Sequence, residues 1–185
     1  MNYMLPGLVL FFCLHLLPTS SDVRQSLIER LGHYPYLALY SLLSAAGLGL
    51  MILGYSNMGH EQLWSPFNIG RPAAMAIMPI AFILLLAAYL PCHLRSKLKH
   101  PMLIATALWG SVHLLANGDL ASSLLFGSFL GYALLDMALA KPRSSLVPKA
   151  APRAIFDLVA VIGGLLIAAA VMHSHGKLFG VALIS

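Results

Sequence analysis

Six stretches of this 185-residue chain are apolar and almost free of charge, about as long as the helix that crosses a bilayer except for the fourth, which is short. They run over Tyr3–Pro18, Tyr36–Tyr55, Ala73–Cys92, Met102–Ala116, Leu120–Ala140 and Ala154–His173. At 1.5 Å per residue, about 20 apolar residues traverse a hydrocarbon core of about 30 Å, and every backbone N–H and C=O must then find its partner inside the segment. Helices meet that demand. The expected class is therefore all-α: a polytopic membrane helix bundle of about six transmembrane helices, forming one integral membrane domain over residues 1–185. Composition points the same way, with 59% hydrophobic and 9% charged residues where a soluble domain carries roughly 25% charged. A soluble globular domain is excluded.

The formal charge of +5 does not signal a nucleic-acid partner, because the basic residues are parcelled among short connections instead of forming one face. Their partner is the lipid bilayer. Arg24, Arg30, Arg95, Lys97, Lys99, Lys141, Arg143, Lys149 and Arg153 fall in the odd connections, whereas only Arg71 and Lys177 fall elsewhere. Lys and Arg in short loops stay on the cytoplasmic side, so both termini are expected on the non-cytoplasmic side of the membrane. No basic residue precedes the first block and no small-residue cleavage site follows it, so a cleaved signal peptide is not expected. After that block, Val23, Leu27, Ile28 and Leu31 alternate with charges at helical spacing, which predicts a short amphipathic helix over Ser21–Leu31 lying in the membrane plane. Asn117-Gly118-Asp119 predicts a tight turn that makes the fourth and fifth spans an antiparallel hairpin.

An ionisable group at membrane depth is costly and thus a functional candidate. Asp136 and Asp157 stand near Lys141 and Arg153 at span ends, which reads as interfacial and not as a proton path. Cys13 and Cys92 form neither a disulfide framework nor a CxxCH haem-attachment site. Of the eight histidines, His15 and His113 lie inside spans with apolar flanks, while His60, His173 and His175 fall in connections or at a helix end and are set aside. A lone histidine in such a place is commonly a packing residue. A pair on separate helices can instead hold a haem iron from both faces, and the lack of a Cys/His cluster or of mid-membrane carboxylates argues against zinc. Thr106, Trp109, His113 and Asn117 share one helix face, either hydrogen-bonding around a ligand histidine or a haem propionate or serving as ordinary polar packing between helices. Ser123, Gly127 and Gly131, like Gly47, Gly49, Gly163 and Gly164, read as places where another helix approaches closely. Pro79 within the third span is the one hint of a discontinuous, transporter-like helix.

The run from Lys99-His100-Pro101 through Trp109 and His113 to Asn117-Gly118-Asp119 resembles the basic-His-Pro…Trp…His…Asn-Gly signature of the NnrU family. Gly7–His15, Arg30–Tyr36 and Leu124–Tyr132 are similar to it as well, so the resemblance is strongest over residues 7–137. That family includes the plant 15-cis-zeta-carotene isomerase and bacterial proteins first associated with nitrite and nitric oxide metabolism. The resemblance implies a protein of the bacterial inner membrane that binds haem b and acts in polyene cis-trans isomerisation or in nitric oxide- or nitrite-linked redox metabolism. It implies His15 and His113 as iron ligands, His100 as an alternate ligand, and Trp109 and Asn117 beside the cofactor. Lys99 stands where Arg is commoner in the family, which keeps the charge but loses bidentate propionate binding. The resemblance leaves the substrate open, as a hydrophobic small molecule or nitric oxide. The other reading, a cofactor-free transporter or assembly factor, gives the histidines protons or a metal ion in transit.

Overall fold

A computed structural model describes residues 3–59, 61–139 and 151–183. The apolar blocks are helical: α1 (Met4–Leu16), α3 (His33–Ser56), α4 (Gly70–Ala87), α6 (Pro101–Ala116), α7 (Leu120–Leu139) and α8 (Ala154–Phe179). Two shorter helices lie between them, α2 (Ser21–Leu31) and α5 (His93–Leu98). The helices α3, α4, α7 and α8 are long and apolar enough to cross a membrane, whereas α1 and α6 are apolar but shorter. With 16 residues, α6 extends about 24 Å and falls short of a full hydrocarbon core. The outward faces are apolar too: Leu158, Val159, Ile162, Leu165 and Leu166 of α8 are all exposed. Such a surface is stable only against lipid, so this is an integral membrane protein.

The amphipathic segment is helical over the expected residues, with its apolar Val23 and Leu31 exposed. Gly32 then takes φ +86°, a conformation that side chains avoid, and so turns the chain directly from α2 into α3. In the next connection, α6 opens with Pro at its first position and stops at Asn117, whose backbone is extended. Asn117 also donates its amide Nδ2 to the carbonyl of His113 at 2.8 Å, satisfying one of the carbonyls that a helix end leaves without a partner. Three residues join α6 to α7, and the two helices pack together as the expected hairpin.

Packing pairs α1 with α3, and α4 with both α6 and α8. Small residues decide where backbones meet. A Cβ at Gly164 would lie 2.6 Å from the Cα of Ile83, and one at Gly7 would lie 2.7 Å from the backbone nitrogen of Met51. Gly47 likewise faces Phe11, and Gly163 faces Leu86. Gly49, Gly127 and Gly131 correct the expectation, since among the described residues nothing lies within 4 Å of where their Cβ would stand. Spacing at four residues defines a face but not what covers it.

Each end of the bundle is tied by its own loops. At one end the carbonyl of Gly118 accepts from the amides of Leu63 and Trp64 at 2.8 and 3.1 Å, and Leu120 N–H donates to Glu61 at 2.9 Å. At the other, Arg153 N–H donates to the carbonyl of Pro91 at 3.0 Å, and the Asp157 carboxylate accepts from the amides of His93 and Leu94. Arg95, Lys97 and Arg153 thus share one end, as the distribution of basic residues requires. Lys141, Arg143, Lys149 and His60 lie outside the described residues.

Candidate functional site

The elements that meet toward the Gly118 end leave a cavity of about 890 Å³ between α3, α4, α6, α7 and α8. Ligand cavities run from roughly 300 to 1,000 Å³ and are mostly apolar. This one is walled by Met51 and Ile52 of α3, Met75, Met78 and Phe82 of α4, Phe126 and Phe129 of α7, and Met172 of α8. Polar groups break that wall, among them Tyr55, Ser56, Arg71, Trp109, His113, Asn117 and His175.

His113 is placed by its own helix. Its Nδ1 lies 2.8 Å from the carbonyl of Trp109, one turn back, and a carbonyl only accepts. Nδ1 therefore carries the proton, and Nε2 is left with its lone pair, the state in which a neutral imidazole binds a metal. The ring stacks on Phe126 at 4.6 Å between centroids, while Trp109 meets Phe126 and Phe129 edge-on at 4.9 and 5.3 Å. Those contacts fix the ring plane. Trp109 and Asn117 reach the same cavity, whereas Thr106, the fourth member of the stripe, donates its hydroxyl to the carbonyl of Met102 at 3.0 Å and does not line it.

His15 is built in the same way but elsewhere. Its Nδ1 lies 2.7 Å from the carbonyl of Phe11, and its ring stacks on Phe11 at 3.9 Å with Tyr40 and Tyr132 at 5.7 and 6.1 Å. It is not among the residues that line the cavity. His15 meets α7 at Tyr132 and His113 meets it at Phe126, six positions apart, so their levels differ by about 9 Å along that helix. His100 stands just before the start of α6, about 20 Å from His113 along the helix axis. The structure does not bring His100 into the cavity.

What it does bring there is His175, which the sequence reading sets aside. Its Nδ1 lies 2.7 Å from the carbonyl of Val181, to which it donates. The only sequence signal was Gly180, a glycine just past an apolar helix.

The two acidic residues also fall into place. Asp157 lies 2.7 Å from His93 Nδ1 and caps the first amides of α5, an interfacial role as expected. Asp136 is instead buried, at 2% exposure, and accepts from the Tyr132 hydroxyl at 3.3 Å. The cysteines are both free, as expected.

Among the described residues no three His, Cys, Asp or Glu side chains converge on a point that would hold a bare metal ion. A haem iron asks for less, since the macrocycle supplies four nitrogens and the protein only axial ones. The donor set fits that group: neutral imidazole in an apolar cavity, with Arg71 beside it for a carboxylate.

No curated protein and no solved structure matches the chain. A family model described as NnrU protein matches residues 3–183, which takes in α1 through α8 and the cavity. On that match, over nearly all of its length, the chain belongs to the NnrU family.

Proposed function

We propose that this protein binds haem b between its membrane helices and serves either polyene cis-trans isomerisation or nitric oxide- and nitrite-linked redox chemistry. The observation that carries the reading is His113, an imidazole whose Nδ1–H is held by the Trp109 carbonyl while its ring faces an apolar cavity of about 890 Å³. His113 would hold the iron through Nε2. The resemblance names His15 as its partner, with Nδ1–H bound to the Phe11 carbonyl. Arg71 pairs with a propionate, and Asn117 holds the end of α6 in place through the His113 carbonyl. The aromatic wall of Trp109, Phe126 and Phe129 excludes water and offers flat surfaces to a conjugated ligand. When bound, haem would supply an iron able to exchange electrons and to bind or polarise a small molecule.

The protein is proposed to lie in a bacterial inner membrane with both termini non-cytoplasmic. The alternative, a cofactor-free transporter or assembly factor, would gain from broken helices at mid-membrane. Pro79 does not break α4, which runs as one helix over Gly70–Ala87. The test is an absorption spectrum of the detergent-purified protein, oxidised and dithionite-reduced. A Soret band that shifts on reduction is expected. Protein that shows no such band, even after incubation with hemin, would overturn the haem reading.

A further inference from the structure

The connection from α3 to α4 has no Lys or Arg and one acidic residue, Glu61, yet it holds Leu63, Trp64, Phe67 and Ile69. All four are exposed, Phe67 and Ile69 at 58% and 66%. Large apolar side chains gathered on an exposed surface mark a place where something other than water is met.

The backbone of this segment is not left to water either. The N–H groups of Leu63 and Trp64 donate to the Gly118 carbonyl, that of Phe67 to the Leu115 carbonyl at 3.1 Å and that of Gly70 to the Phe67 carbonyl at 2.8 Å, while Pro66 has no N–H to place. Two glycines make the fit possible: a Cβ at Gly118 would run into the Trp64 carbonyl, and one at Gly70 into the Leu115 carbonyl. A solvated connection can satisfy its amides with water and needs no such fit. Irregular backbone at membrane depth must instead find its partners in protein.

The depth follows from α6. Its 16 residues extend about 24 Å, about 6 Å less than a hydrocarbon core of about 30 Å. The segment is fastened to the last turn of α6 at Leu115 and to the turn at Gly118, so it lies where that helix stops short. It also continues a surface that already faces lipid, since Ile52 and Leu53 in the last turns of α3 are exposed.

We propose that Leu63, Trp64, Phe67 and Ile69 insert into the boundary between headgroups and acyl chains of the leaflet at this end of the bundle, making the connection a membrane-dipping anchor. Tryptophan favours that level because its ring is apolar and its N–H reaches water. Arg71, which lines the cavity two residues past Ile69, is thereby held at headgroup depth.

Cys13 is exposed and Cys92 is buried, so a Cys13→Ser background accepts a nitroxide label at one added cysteine. Phe67→Cys and Ile69→Cys are compared in vesicles of phosphatidylcholine and phosphatidylglycerol with two references, Leu166→Cys on the outer face of α8 and Lys97→Cys in α5. Electron paramagnetic resonance reads collisions of each label with oxygen, which concentrates in lipid, and with a water-soluble nickel chelate. Labels at positions 67 and 69 are expected to favour oxygen over the chelate, at a ratio between those of the two references. A ratio equal to that at position 97 puts the segment in water and overturns the proposal. Shielding from both reagents means a protein cover, such as a second copy of the chain, and overturns it as well. Gly118→Ala, which pushes the Trp64 carbonyl away, should raise chelate collisions at position 67 toward the position 97 value; an unchanged ratio there would show that the glycine fit does not hold the anchor.

Discussion

His113 and Gly164 stand for the two kinds of information a single residue carries here. The histidine was legible because an ionisable ring flanked by Val112 and Leu114 is out of place in an apolar helix unless something uses it. The glycine was legible only as one of several. Gly164 meets the backbone of Ile83, while Gly127 meets nothing, although both belong to comparable small-residue patterns. Their substitutions should differ in sign. Gly164→Ala is expected to force α8 away from α4 at a cost of about 1–3 kcal/mol, the range for overpacking a close contact. Gly127→Ala should be neutral or stabilise by up to about 1 kcal/mol, because alanine restricts the unfolded chain and meets no neighbour. Thermal unfolding of the two variants in detergent checks this, and equal losses of stability would defeat it.

At the scale of elements, helix position was readable from the sequence and helix attachment was not. Periodicity set α2 at Ser21–Leu31, and the Asn-Gly-Asp turn set the α6–α7 hairpin, since both depend on local chemistry. The attachment of α5 depends on Asp157, which lies 64 positions beyond His93. Its carboxylate accepts from the amides of His93 and Leu94 and from His93 Nδ1, at 3.2, 3.0 and 2.7 Å. Those amides are the donors that the start of a helix leaves without partners. Asp157→Ala is expected to free the segment 93–98, seen as faster amide hydrogen exchange there and as easier proteolysis after Arg95 or Lys97. Asp157→Asn, which keeps one accepting oxygen, should fall between. If exchange over 93–98 is unchanged in Asp157→Ala, the cap does not hold the helix.

Across the whole molecule, the ties between loops sort the connections into two ends. Pro91, α5 and Arg153 share one, and Glu61, Leu63, Trp64, Gly118 and the end of α8 share the other. Basic residues cluster at the first end, so reporter fusions after Leu98 are expected to behave as cytoplasmic and fusions at the C-terminus as non-cytoplasmic. A C-terminal fusion active only in the cytoplasm would reverse the orientation. With the C-terminus non-cytoplasmic as proposed, the cavity would belong to the non-cytoplasmic half, and a ligand arriving through the lipid or from that side would meet Arg71 in its lining.

The sequence by itself determined the environment and the class of the fold. Both follow from sums over neighbouring residues: twenty apolar side chains in a row satisfy a bilayer whatever they pack against, and Lys and Arg in a loop are counted where they stand. It also marked His113, because its misfit is local. Which histidine shares its cavity was decided by tertiary structure alone. His15 sits in an apolar span, and α1 packs on α3 and places its ring beside Tyr40 and Tyr132. His175 looks like a residue of a helix end, yet the reversal at Gly180 folds the chain back and turns that end into a wall of the cavity. Depth along a helix is additive in residue number and can be counted; the lateral arrangement of helices depends on where each glycine finds a backbone to meet, and no local sum contains it.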